Sequence, residues 1–214
     1  MSDTSVNYWN NYYGGALIAT KPPISPSQFA AFCNLEMQAL NFNHLVDIAS
    51  GNGRDSLFFS EQGYNVIACD KSAEAFELLK NRTTNFRKLM FEKTDVVREK
   101  VPTFKGLSSK CGFFARFFLH TLSDNELSSF FINLNCAMNE GDLFFVEYSN
   151  EDDEFLNKNT PLHFRNFLSS KLVAQKALEI NLTCLYEVHG RGFAKWKDDD
   201  AEVTRQVFRK SKDV

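Results

Sequence analysis

Leu45-Val-Asp-Ile-Ala-Ser-Gly-Asn-Gly-Arg-Asp-Ser56, followed by Tyr64-Asn-Val-Ile-Ala-Cys-Asp70, reads as an apolar strand, a glycine turn, a helix and a second apolar strand ending in an acid. That order builds a nucleotide-shaped slot at the carboxyl edge of a parallel sheet. Gly51 and Gly53 let the backbone pass close beneath a ligand where a Cβ would collide. The helix after them begins near Arg54-Asp55 and offers free amide donors at the positive end of its dipole.

Working outward, strands and helices alternate. Short apolar runs predict strands over His44–Ile48, Asn65–Cys69, Leu89–Thr94, Cys111–Phe117 and Leu143–Tyr148. Helical spacing predicts helices over Gln28–Leu40, with Ser27 as N-cap, and over Arg54–Gln62, Ala73–Asn81 and Asp124–Met138. Such alternation implies an α/β fold of three layers, with helices on both faces of the sheet. The end of the chain differs. His163–Leu178 reads as a helix, then Leu182–His189 and Phe193–Trp196 as strands joined tightly by Gly190-Arg-Gly192. Strands joined so closely must be antiparallel. The acidic runs Glu151–Glu154 and Asp198–Asp200 read as solvated loops.

The chain has 214 residues, enough for one domain, with 43% hydrophobic and 24% charged residues. We divide it into an N-terminal lid and helix (1–43), a cofactor-binding core (44–149) and a C-terminal helix and hairpin (150–214). The 22 phenylalanines predict a Phe-rich core in which only a few rings reach a pocket. A net charge of −3 without a basic stripe argues against a nucleic-acid partner. No apolar run approaches the roughly 18 residues of a membrane helix, so no membrane partner is expected. The opening Met1-Ser-Asp-Thr-Ser-Val lacks a positive n-region and an apolar h-region, so no signal peptide is expected. The five scattered cysteines fit reduced thiols in a cytoplasmic protein. No metal site is expected, because the histidines and acids show no ligand spacing.

A dinucleotide site favours Gly-x-Gly-x-x-Gly, and here the sixth position is Ser56. Asp47 would crowd an anionic diphosphate and suits a ligand that is positive near the turn. S-adenosylmethionine, with its sulfonium and α-amino groups, is such a ligand. Asp70 can accept both ribose hydroxyls, and Asp95, ending the third strand, can accept from the adenine amino group.

These residues resemble class I S-adenosylmethionine-dependent methyltransferases. Val46-Asp-Ile-Ala-Ser-Gly-Asn-Gly53 is similar to their first motif, Asp-x-Gly-x-Gly-x-Gly, Ile67–Asp70 to the second and Lys93-Thr-Asp95 to the third. Ala49 stands where the family's first glycine lies, a departure expected to be tolerated. The resemblance implies a Rossmann-like, mostly parallel seven-stranded sheet closed by the C-terminal antiparallel hairpin. It also implies cofactor contacts from Asp47, Ala49, Gly51, Gly53, Arg54, Asp70, Lys71, Asp95 and Val96. The aromatic opening Tyr8-Trp-Asn-Asn-Tyr-Tyr13 reads as a helix docked on the core or as a lid, with Trp9 and Tyr12 over the cofactor.

The second substrate then lies over the fourth and fifth strands. Polar residues within Arg116-Phe-Phe-Leu-His120 need partners or a function. His120 is the candidate base and Arg116 a catalytic or substrate-binding cation, while His163, Arg165, Tyr13 and Tyr148 are further candidates for substrate contact, and Glu147 a weaker one. A finer resemblance, to methyltransferases of bacterial surface-polysaccharide gene sets, rests on the Tyr-Trp-x-x-Tyr-Tyr opening, Gly51–Ser56, Arg116–His120 and His163-Phe-Arg165. It implies a sugar hydroxyl or phosphate-type oxygen as the acceptor. Thiopurine and tellurite-resistance methyltransferases share the opening aromatics and keep a soft sulfur or tellurium acceptor open. A non-catalytic S-adenosylmethionine-binding protein and a dinucleotide oxidoreductase are the rival readings.

Overall fold

The computed structural model describes residues 2–15, 25–82, 87–106, 109–156, 164–196 and 198–212. Helix α1 (Ser2–Tyr13) precedes α2 (Gln28–Ala39), whose N-cap Ser27 accepts from the Ala30 amide. Then follow β1 (His44–Ile48), α3 (Arg54–Glu61), β2 (Asn65–Asp70), α4 (Ala73–Lys80), β3 (Leu89–Lys93), β4 (Cys111–Arg116), α5 (Asp124–Ala137) and β5 (Leu143–Ser149). The chain closes with α6 (Ser170–Glu179), β6 (Leu182–Gly190) and β7 (Val203–Lys210). No helix among the described residues is long and apolar enough to cross a membrane.

One seven-stranded sheet runs β3-β2-β1-β4-β5-β7-β6, parallel except for β7, which is antiparallel to both β5 and β6. The expected fold class is therefore the observed one. The period of two sends alternate residues to opposite cores. Val46, Ile48, Phe113, Phe144 and Val146 face α5 and α6. Leu45, Val66, Phe114 and Phe145 face Phe29 and Met37 of α2 and Phe59 of α3. Most of the large, fully buried side chains are phenylalanines, each stabilising by about 1.5–3 kcal/mol through burial. Strand order reverses between β1 and β4, so a crevice opens at their carboxyl ends.

Three expectations for the C-terminal part need correction. The helix read from His163 begins only at Ser170, where Ser169 Oγ caps the Leu172 amide. Residues 164–168 instead spend their hydrogen bonds elsewhere: Asn166 donates its amide to the His120 carbonyl at 2.7 Å, and Leu168 bridges to Asn150. Phe193–Trp196 is not the last strand but lies in a long connection, and β7 follows it. The tight turn is absent because Gly192 and Arg191 bond instead to Asp200, at 2.7 Å (amide to Oδ1) and 3.2 Å (Nε to the carbonyl). Nor are both acidic runs solvated: Asp153 is fully buried and accepts the Glu202 amide, and Asp199 exchanges backbone bonds with Trp196.

Candidate functional site

Asp47 shares the pleat parity of Leu45, so its carboxylate leaves β1 towards α3, where the Ser56 hydroxyl donates to it. Ser56, read in the sequence only as a missing glycine, is thus the partner of the motif's acid. Burial pushes the Asp47 carboxyl well above the usual carboxylate range, and the Ser56 bond opposes that only in part. Asp70, at the end of β2, accepts the Gly51 amide at 2.9 Å and the Ser72 amide at 2.8 Å, so it fastens the glycine turn to the neighbouring strand. Its carboxyl is also raised by burial and lowered by those amides. Asp95, beyond β3, accepts the Val97 amide at 3.0 Å.

Ala49 has a φ of +54°, in the left-handed region, and Gly51 also has +54°. The turn therefore requires at Ala49 the backbone a glycine adopts freely. A methyl built on Gly51 would stand 2.3 Å from the Tyr13 hydroxyl, which reaches over the turn from α1. Burial, with Asp70 and Tyr12 nearby, pushes the Tyr13 phenol well up, so it stays a hydrogen-bond donor. Gly53 serves a different purpose from the one expected. Its missing side chain leaves room for Leu79 of α4, 2.3 Å from a notional Cβ, and it does not line the cavity.

The crevice is a cavity of about 300 Å³. Tyr8, Trp9, Tyr12 and Tyr13 line it from α1. Asp47, Ala49, Arg54, Asp70, Lys71, Asp95 and Val96 line its β1–β3 side. Arg116, His120 and Arg165 line the opposite side. Tyr148 does not: it is fully buried, and its hydroxyl bonds Gln206 at 2.9 Å. Residue 148 lies on the parity that faces α6 rather than the crevice, which the strand-end position alone did not reveal. His163 lies outside the described residues. Among the described residues, Phe114, Phe117 and Phe118 are the few phenylalanines at the cavity wall, and Trp196, Asp199 and Ala201 of the β6–β7 connection line it too, which the sequence alone did not reveal. A tryptophan just ahead of the acidic run Asp198–Asp200 was the available signal.

Arg116 donates to Glu147 at 2.7 Å and lies over the Phe117 ring at 4.4 Å. Phe117 takes a φ of +52°, a strained non-glycine backbone at the end of β4. His120 is buried, and its Nδ1 accepts the Ser149 amide at 3.2 Å, which fixes the proton of the neutral ring on Nε2. Arg54, mostly buried, has its pKa lowered by burial and by the neighbouring Arg116 cation. Among the described residues no cluster of His, Cys, Asp and Glu is placed to hold a metal.

This chemistry fits a ligand with one cationic and one polar end better than a diphosphate. Two buried carboxylates flank the turn, and the Ser50 hydroxyl is buried there without a partner. A family model described as tellurite resistance protein TehB matches residues 35–104. A methyltransferase from Anabaena variabilis superposes with a TM-score of 0.72 at 16% identity, over 96% of this chain and 95% of that one. The chain has the fold of S-adenosylmethionine-dependent methyltransferases. A similar likeness extends to the Burkholderia thailandensis 1,6-didemethyltoxoflavin N1-methyltransferase, solved with its substrate and S-adenosylhomocysteine (TM-score 0.66, 16% identity, 98% of this chain and 89% of that one). It extends also to a Clostridium acetobutylicum methyltransferase (0.65, 11%, 98% and 99%). No curated protein sequence matches the chain.

Proposed function

We propose that the protein moves a methyl group from S-adenosylmethionine to an oxygen of a small anionic acceptor, of the sugar or phosphate type used in surface-polysaccharide assembly. One observation carries this reading: a single cavity has Asp47, Asp70 and Asp95 on its β1–β3 side and Arg116 and Arg165 on the other. Asp47 would meet the cationic amino-acid end of the cofactor, Asp70 the ribose hydroxyls and Asp95 the adenine. The α1 aromatics would cover it and exclude water. When bound, the cofactor supplies a methyl carbon already activated by the sulfonium for in-line displacement, so the protein's task is alignment and desolvation.

His120 with its proton on Nε2 is a donor towards an acceptor rather than a base. That favours an oxygen that arrives ionised, a phosphate or carboxylate, over a sugar hydroxyl that must lose a proton. Arginine's planar fork suits such groups. A second reading, transfer to a soft sulfur or tellurium atom, is supported by the TehB match. Residues 35–104 belong to the cofactor side, however, and do not include Arg116, His120 or Arg165.

The test uses S-adenosylmethionine tritiated at the methyl group, with sugar phosphates, uronic acids, thiols and tellurite offered separately. Label is expected on an oxygen of a phosphate- or carboxylate-bearing sugar. Label on thiols or tellurite alone would transfer the assignment to the second reading, and cofactor binding without label on any acceptor would favour a non-catalytic binding protein.

A further inference from the structure

Arg116, Glu147 and Arg205 form one row across the sheet, in register on β4, β5 and β7. Glu147, its side chain fully buried, accepts Arg116 Nε on one oxygen and Arg205 Nε on the other, both at 2.7 Å. Two cations on one anion leave a surplus positive charge inside the protein, which is costly unless an opposite charge meets it. The two ends of the row differ. Arg205 is sealed between the rings of Phe29 and Phe193, at 5.2 and 4.9 Å, and donates to the Phe193 carbonyl at 2.9 Å; it does not line the cavity. Arg116 does line the cavity, as does Arg54, whose pKa is lowered by burial and then by Arg116 and which has the Asp55 carboxylate 3.8 Å away as its own counter-charge. Among the described residues, the row therefore opens to compensation at its cavity end.

We infer that Arg205 is a positioning residue for the anionic acceptor: by occupying one arm of Glu147 it keeps the charge of Arg116 from being cancelled, so that Arg116 presents a net cation to the cavity. The inference rests on the reading of this cavity as the acceptor site but deepens it, since a residue outside the cavity then sets the charge of the substrate class.

The opposite signs of two substitutions test it. Arg205→Met leaves Arg116 and Glu147 as a neutral pair, whereas Glu147→Gln leaves both arginines uncompensated. Inorganic phosphate is titrated, at constant ionic strength, into protein saturated with S-adenosylhomocysteine. The signal is the fluorescence of the sequence's two tryptophans, Trp9 and Trp196, both in the cavity wall. Phosphate affinity is expected to fall at least about tenfold in Arg205→Met and to rise at least about tenfold in Glu147→Gln, as for a unit charge about 12 Å away or nearer at an effective dielectric constant of about 20. Arg205→Lys, which keeps the charge, should stay within about threefold of wild type. Should Glu147→Gln fail to fold, the lysine and methionine variants carry the comparison alone. Equal weakening in all three variants, or a wild type that ignores phosphate, overturns the inference. Failure of the wild type to bind S-adenosylhomocysteine, with the phosphate pattern intact, would instead overturn the cofactor reading.

Discussion

Ala49 follows β1 in a backbone conformation that costs an L-residue about 1–2 kcal/mol and glycine almost nothing. Ala49→Gly should therefore stabilise the protein by about 1 kcal/mol, an increase of about 2–4 °C in the midpoint of thermal unfolding at this chain length. An unchanged or lower midpoint would mean that the turn relaxes around alanine. Asp47 poses the converse problem. Its carboxyl, raised by burial, holds a proton to higher pH than the unfolded chain's value of about 3.9. Its contribution to stability is thus fully present below that value and is lost as pH rises through the raised folded value. A cation bound beside it favours ionisation, so cofactor binding should release a proton, seen in calorimetry as a heat that varies with the buffer's ionisation enthalpy. Asp47→Asn should abolish that dependence. The sequence made Asp47 visible by its place before the glycines, but its partner Ser56 was hidden because a serine in a helix's first turn has no pattern of its own.

Strands β1, β2, β4 and β5 were legible because each is a short apolar run between turn residues, buried on both faces, and the edge strand β3 because it opens on the apolar run Leu89-Met-Phe91. β7 was not, although it too lies inside the sheet. Its Arg205 pairs with Glu147, its Gln206 with Tyr148 and Glu187, and its Lys210 Nζ with Asn135 and the Ile180 carbonyl. Those polar side chains are satisfied by partners far away in sequence, so the apolar signature of a buried strand never appears. The start of α6 was misplaced because Ser169 caps the helix while Asn166 bonds to the segment after β4 and Leu168 pairs with Asn150 after β5. Gly53 belongs to this scale as well, for it sets how closely α3 approaches α4. Gly53→Ala should cost about 1–3 kcal/mol through the clash with Leu79 and the left-handed backbone. Because both substitutions act on one contact, the Gly53→Ala/Leu79→Ala pair should destabilise less than the sum of the singles. Strict additivity in denaturant unfolding would show that Gly53 answers to the backbone alone.

In the whole molecule, the sheet's switch point gathers strand-end residues from distant parts of the chain into one cavity. Its cofactor side was legible since Asp47, the turn and Asp70 lie within a single β-turn-helix-β unit. The opposite side was only partly so. Arg116 and His120 stood out as polar residues in an apolar run, but their partners Glu147 and Ser149 lie on another strand, and the closing connection with Trp196 and Asp199 reads locally as an acidic loop. The central claim is the identity of the cofactor, and isothermal calorimetry tests it directly. S-adenosylmethionine should bind at one site per chain, and Asp70→Asn, which keeps one carbonyl oxygen for the turn, should weaken that binding by at least about tenfold through lost ribose hydrogen bonds; NAD binding in place of S-adenosylmethionine, or an affinity indifferent to Asp70→Asn, would contradict the account.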